Sequence, residues 1–180
     1  MRNQAFVHNS DYMGVQFVKR LRLLDDVKKQ AGEVAAYFGQ FDEADRIYRE
    51  LDRRDLSLQL RASIGDWFKV VQLVQQGGGD DSMLQTAWNR IGDYFFERKK
   101  ASKAAQYYSQ AKNMEALIRC YCELEDWSGL ERVVFALNDG SPLLQEVAER
   151  FVSVGMSDEA VAAYIKSGNV KVHKLVFVEW

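Results

Sequence analysis

The sequence predicts an all-α chain of about five stacked helical hairpins, and three observations predict it. A motif of small and aromatic residues recurs along the chain at spacings of 26 to 34 residues. The 180 residues include a single proline, Pro142, and are rich in Ala, Leu, Gln, Glu, Lys and Arg, which favour long helical stretches. No segment before Val170 alternates apolar and polar residues as a half-buried strand does.

The motif is clearest in Ala31–Tyr48, AGEVAAYFGQFDEADRIY. Small and aromatic residues fall at helical spacing, break at Gly39-Gln40, and resume. That is the outline of a helix-turn-helix hairpin. Aligned on the turn Gly39-Gln40-Phe41, the equivalents are Gly65-Asp66-Trp67, Lys99-Lys100-Ala101, Glu125-Asp126-Trp127 and Gly155-Met156-Ser157. Three residues on come Ala44, Val70, Ala104, Leu130 and Ala160. Four further on come Tyr48, Val74, Tyr108, Val134 and Tyr164. Seven before the third turn position lie Val34, Leu60, Tyr94 and Cys120, with Arg150 breaking the set. A weaker copy stands at Tyr12.

Each repeat then divides into two helices. The first, A, is expected over roughly 31–38, 55–64, 83–98, 113–124 and 142–154. The second, B, is expected over 41–51, 67–75, 101–110, 127–137 and 157–166. Start signals agree. Ser82 followed by Gln85 reads as a capping box, Ser141-Pro142 as an N-cap with proline at the first helical position, and Asn113, Asp66 and Asp126 as N-caps. The packing positions are Gly39, Phe41, Ala44, Tyr48, Gly65, Trp67, Tyr108, Trp127, Gly155 and Tyr164. A small residue at the Ala44 position lets A and B approach closely. A ring at the Phe41 or Trp67 position plugs the groove beside it, and the ring at the Tyr48 position is expected to reach the next repeat.

Helices of about ten residues are unstable alone and persist by stacking on neighbours. The repeats are shorter and less regular than the 34-residue tetratricopeptide consensus. The expectation is a degenerate tetratricopeptide-like α-solenoid, a right-handed superhelix forming a single array over 1–168. Gln76–Asp81, with three glycines and two aspartates, is expected to protrude as a flexible loop without dividing the array. Ala5-Phe6-Val7 reads as the remnant of a helix. The tail 169–180, NVKVHKLVFVEW, is apolar and fits no repeat. Both ends are those expected of a fragment.

Bulk properties narrow the function. The net charge of −2 supplies no basic field to recruit nucleic acid. The N-terminal residues lack the apolar core of a secretory signal, and no run approaches the ~20 apolar residues of a membrane helix. Candidate chemistry dissolves on inspection. Gly77-Gly78-Gly79 is followed by no Gly-Lys-Ser or Gly-Lys-Thr, so it is a linker and not a phosphate loop. Cys120 and Cys122 have no second cysteine pair and no nearby histidine, so they read as core residues and not as metal ligands. His8 and His173 stand apart without partners at motif spacing. The pairs Asp25-Asp26, Asp42-Glu43 and Asp158-Glu159 point about 100° apart on a helix and read as solvated surface. Lys19, Arg20, Arg22, Lys28 and Lys29 read as an ordinary charged face, and Asp52-Arg53-Arg54-Asp55 as local salt bridges and caps. No catalytic, metal or cofactor-binding residue is expected.

The wording of the repeats is more specific than their period. FVKRL (Phe17–Leu21), AAYFGQFDEADRIYRELDRRDLSLQLRASIGDWFKVVQLV (Ala35–Val74), IGDYFFERKKASKAAQYY (Ile91–Tyr108), LEDWSGLE (Leu124–Glu131) and FVSVGMSDEAVAAY (Phe151–Tyr164) resemble the WD repeat-containing protein 35 family, subunits of intraflagellar transport complex A. The resemblance covers about residues 6 to 168. It implies a piece of the helical solenoid that follows the family's propellers. It further implies a non-catalytic scaffold in the cytoplasm and cilium, with other subunits of that complex as partners. The roles implied are retrograde ciliary transport, cilium assembly and ciliary entry of membrane proteins. A coat-type vesicle-transport solenoid or a generic tetratricopeptide adaptor is the alternative. RNA binding would need recurring polar readers and basic charge, which the repeats do not supply.

Overall fold

A computed structural model of the chain describes residues 12–168. The tail 169–180, Ala5-Phe6-Val7, His8 and His173 lie outside the described residues. Every regular element among the described residues is a helix. They are α1 (Tyr12–Leu21), α2 (Val27–Tyr37), α3 (Phe41–Glu50), α4 (Arg54–Ser63), α5 (Trp67–Leu73), α6 (Asp81–Glu97), α7 (Ala101–Gln110), α8 (Met114–Leu124), α9 (Trp127–Ala136), α10 (Pro142–Ser153) and α11 (Ser157–Ser167), with a π-helical turn over Val74–Gly78 after α5. The pairs α2–α3, α4–α5, α6–α7, α8–α9 and α10–α11 are the five hairpins, so the all-α repeat fold is the one the sequence predicts. Phe41, Trp67, Ala101, Trp127 and Ser157, the third turn positions, are the first residues of the five B helices.

The chain forms two compact units, Met1–Met83 and Leu84–Trp180. The sequence reading runs one array across this point. In the first unit Ala35, Ala44 and Tyr48 form a small core, with Ala36, Leu56 and Leu60 packed against it. The second unit has the larger core, centred on Ile118, Leu130, Leu144, Val147 and Phe151.

The turns are built alike. Gly39, Gly65 and Gly155 adopt left-handed backbone, φ +75° to +80°, and Lys99 and Glu125 adopt it at the same position, φ 57° and 53°. Backbone N–H groups then close each helix end, as Gly39 on Ala36 and Gln40 on Ala35. A side chain in this region costs about 1–2 kcal/mol that glycine avoids. Glycine loses about 0.5–1 kcal/mol of that advantage to its greater freedom in the unfolded chain. Lys99→Gly and Glu125→Gly are each expected to stabilise the chain by about 0.5–1 kcal/mol, read as a higher urea midpoint at unchanged m-value.

Helix starts follow the sequence with two corrections, one of them at Ser141, which stands at the N-cap ahead of Pro142 but makes no side-chain cap bond. Asn113 accepts from Ala116 N at 3.1 Å, Asp66 from Lys69 N at 3.3 Å, and Asp126 from Gly129 N at 2.9 Å. The capping box at Ser82 does not form. Asp80 caps α6 instead, taking Met83 N at 2.9 Å and the Ser82 hydroxyl at 3.1 Å. The Met83 N–H, with the Ser82 hydroxyl, holds the Asp80 carboxyl below the usual range. An aspartate two residues upstream outcompetes serine because its charge strengthens the bond.

The Gly-rich stretch does not protrude. Arg54 Nη1 donates to Gln76 O at 2.7 Å, and Gly77 turns at φ 86°. A Cβ on Gly79 would lie 3.0 Å from Val74 Cγ2 and 3.1 Å from Leu58 Cδ1. The glycines are there because the turn packs against α4, not because it is loose.

The register of helix A also differs from the expectation. Seven before the turn, only Cys120 is fully buried, and Tyr94 is 45% exposed. The buried register lies nine before the third turn position, at Gly32, Leu58, Gly92, Ile118 and Ala148. Each stands sixteen residues before the Tyr or Val of its own hairpin, and the sizes are complementary. Gly32, Gly92 and Ala148 go with Tyr48, Tyr108 and Tyr164, whereas Leu58 and Ile118 go with Val74 and Val134. A Cβ on Gly32 would stand 2.6 Å from Tyr48 Cε1, and one on Gly92 2.6 Å from Tyr108 Cε1. The tyrosine ring thus lies on its own A helix, and its core is shared with the next repeat, through Leu56 and Leu60 at Tyr48 and through Ala116, Leu117 and Cys120 at Tyr108. Its hydroxyl meets the following carboxylate, Tyr48 to Glu33 at 3.1 Å and Tyr108 to Asp93 at 2.8 Å. Burial, reinforced by these carboxylates, raises both phenol pKa values and keeps them protonated.

Candidate interaction surfaces

The sequence-derived packing residues divide by burial. Ala44 is 0% exposed, Tyr48 and Tyr108 2%, and Tyr164 4%. Gly39, Gly65 and Gly155 sit at exposed turns. Phe41, Trp67 and Trp127 are half-buried, so the turn rings seal groove edges and leave one face open. None of the ten residues converges with another on a reacting centre.

One polar cluster was missed by the sequence reading. Arg61 stands six before the turn of the second hairpin, where other hairpins carry Ala35 and Phe151. It is 6% exposed and Asp45 is 3% exposed. Arg61 Nε and Nη2 donate to Asp45 Oδ2 at 2.8 and 2.6 Å, Nη2 also reaches Asp42, and Nη1 donates to Asp66 Oδ2 at 3.0 Å. Its guanidinium lies 5.9 Å from the Phe41 ring centroid. Burial works against the charge, and the bonds to Asp45 and Asp42 outweigh it, leaving Arg61 more firmly protonated than usual. Asp42 is therefore an ion-pair partner as well as a dipole-matched surface residue. The signal in the sequence was Arg61 itself, the one cation at an otherwise apolar register.

Two concave surfaces are open to partners. In the first unit a groove of about 670 Å³ runs over Phe17, Tyr37, Phe41, Leu56, Leu60 and Ile64. Phe17 and Tyr37 stack at 4.1 Å, and Tyr37 meets the 65%-exposed Phe38 edge-on at 5.3 Å. Arg20, anchored to Glu33 at 2.8 Å, borders it. This is the chemistry of a protein-binding surface, with aromatic anchors beside charged rims. In the second unit a cleft of about 290 Å³ is lined by Arg119, Cys122, Glu123, Glu146 and Arg150. Its charges are mixed in sign, which suits a polar protein contact.

The cysteines are placed as core residues. Burial pushes the Cys120 thiol up to about 11 and raises that of half-buried Cys122, so neither is an activated nucleophile. Among the described residues no group of three or more His, Cys, Asp or Glu is arranged to hold a metal ion. Among the same residues no helix is long and apolar enough to cross a membrane. Arg53 pairs with Asp55 at 2.7 Å, the local bridge expected there.

No family model matches the chain. Curated proteins do. The chain is 52% identical over 171 residues to human WD repeat-containing protein 35, with 93% of the chain aligned. It is 49% and 47% identical to the rat and mouse proteins of that name, again over 93% of its length. It spans 14% of the length of these relatives.

Proposed function

We propose, on the premise that this chain belongs by homology over one segment to the WD repeat-containing protein 35 family, that it works as a non-catalytic protein-interaction scaffold of intraflagellar transport complex A. The observation that carries the reading is identity of about half over 93% of the chain, across hairpins whose recurring small and large positions are spent on packing. The mechanism is binding by distributed contacts. Short hairpins held rigid by their cores offer grooves and ridge edges to other subunits of the complex. The setting is the cytoplasm and cilium, in retrograde transport, cilium assembly and ciliary entry of membrane proteins. The aromatic groove at Phe17, Tyr37 and Phe41 is the surface best suited to a protein partner.

Affinity purification of the full-length protein carrying this segment, from ciliated cells, tests the reading. Recovery of the other subunits of intraflagellar transport complex A is expected. Recovery of coatomer subunits without any intraflagellar transport subunit would overturn it in favour of a vesicle-coat solenoid.

A further inference from the structure

We propose that a small cavity in the first compact unit binds a phosphate-type oxyanion through Arg49, Arg54 and Ser57. The cavity has a volume of about 150 Å³ and is lined by Arg49, Arg54, Ser57, Leu73 and Gln76. It is large enough for one phosphoryl group with part of its hydration.

Three features of its wall point to an anion. Ser57 is 3% exposed, and among the described residues nothing takes up its hydroxyl, whose Oγ is still reached by solvent. A serine hydroxyl that no protein group takes up is free to donate to, or accept from, a group that enters the cavity. Arg49 is the second. Arg46 is bonded to Glu43 and Glu50, Arg53 to Asp55, and Arg61 to Asp45. Among the described residues of α3 and α4, Arg49 is the arginine whose guanidinium has no such partner.

The third is the way Arg54 is held. Its Nη1 donates to Gln76 O at 2.7 Å. A Cβ on Gly77 would lie 3.6 Å from Arg54 Nη1, and one on Gly78 3.5 Å from Arg54 Cβ. The glycine turn therefore closes against Arg54 and fixes the guanidinium at the cavity, with further N–H groups to spare. The nearest carboxylate contact is weak, Asp52 Oδ1 at 3.9 Å from Arg54 Nε, on a side chain 93% exposed. No carboxylate lines the cavity. Two guanidinium groups and a spare hydroxyl form a wall of donors, which repels cations and matches an oxyanion. The glycines do not cradle phosphate with their own backbone. They position the arginine that would hold it.

The test is an NMR titration of this chain with inorganic phosphate at pH 7. Saturable shifts are expected in the amides of Arg54–Leu58 and of Gln76 and Gly77. Arg49→Gln and Ser57→Ala should each weaken phosphate binding at least tenfold while leaving the remaining spectrum native. Arg54→Gln is a poorer first variant because it also releases the turn. Titration with an O-phosphoserine peptide and with phosphatidate-containing vesicles identifies the source. Tighter binding of either, lost in the same variants, assigns the site to a partner's phosphorylated side chain or to a lipid headgroup, and equal binding assigns it to free phosphate. Shifts that do not saturate, or that persist unchanged in Arg49→Gln and Ser57→Ala, overturn the proposal.

Discussion

Gly92→Ile is expected to lower the unfolding free energy by about 3 kcal/mol, near the upper end for overpacking, and Tyr108→Val to lower it by about 3 kcal/mol, as other large-to-small core changes do. The reason is steric. A Cβ at 92 would stand 2.6, 2.7 and 2.9 Å from three atoms of the Tyr108 ring, and an isoleucine adds three more carbons in the same direction. Neither side can move away, because Tyr108 is 2% exposed and is tied to Asp93 through its hydroxyl at 2.8 Å. Joining the two changes makes the pair found in the fourth hairpin, Ile118 with Val134. The double variant is therefore expected to recover about 2–3 kcal/mol relative to the sum of the single losses, a coupling of the size neighbouring residues show. The lost bond to Asp93 prevents full recovery. Urea unfolding of the four proteins measures each term.

Arg61→Ala is expected to destabilise by about 3–5 kcal/mol, the range for removing one partner of a buried ion pair. Asp45 is 3% exposed, and its Oδ2 takes both of its bonds from Arg61. Its Oδ1 is buried without a partner, so the residue has no second cation to turn to. Truncation leaves a buried carboxylate facing apolar surroundings and strips the cover from the Phe41 ring. Asp42 and Asp66 lose the same partner, and their loss is small because they are more exposed, at 96% and 37% of the side chain. Replacing both buried partners, Arg61→Met with Asp45→Leu, should return most of the stability, since apolar side chains of similar volume fill the site without desolvating charge. Thermal unfolding of the single and double variants separates this from a simple loss of packing, in which the double variant would be as unstable as Arg61→Ala.

The fold was legible because the turns are. A left-handed residue followed by a helix start leaves a fixed trace, Gly39 to Phe41 and Gly65 to Trp67, and it holds even where Lys99 or Glu125 replaces glycine. The B-helix positions were legible too, since Ala44, Val70, Ala104, Leu130 and Ala160 are all 0% exposed. Helix A was misread by two residues. Its contact position holds glycine twice, at Gly32 and Gly92, and an apolar search passes over glycine in favour of Val34 or Tyr94. A close approach is made by an absent side chain, and absence has no hydrophobic signal. The Gly-rich turn was misread for a related reason, since three glycines suggest freedom whether they are loose or crowded. The Arg61–Asp45 pair joins residues sixteen apart on two hairpins, a contact no local pattern carries. The ciliary reading came from the wording of the repeats and not from their packing, because packing specifies a scaffold and leaves its partners open.

The pairing of sizes across each hairpin is what makes these repeats rigid enough to present a surface, and transposing it into the fourth hairpin tests it most directly. Val134 and Ile118 are 5% and 1% exposed. Val134→Tyr and Ile118→Gly should each lower the unfolding free energy by about 2–4 kcal/mol, one by overpacking and one by a cavity plus a helical glycine. Combined, they are expected to cancel more than half of the summed loss, measured by urea unfolding at unchanged m-value. Losses that simply add would contradict the pairing.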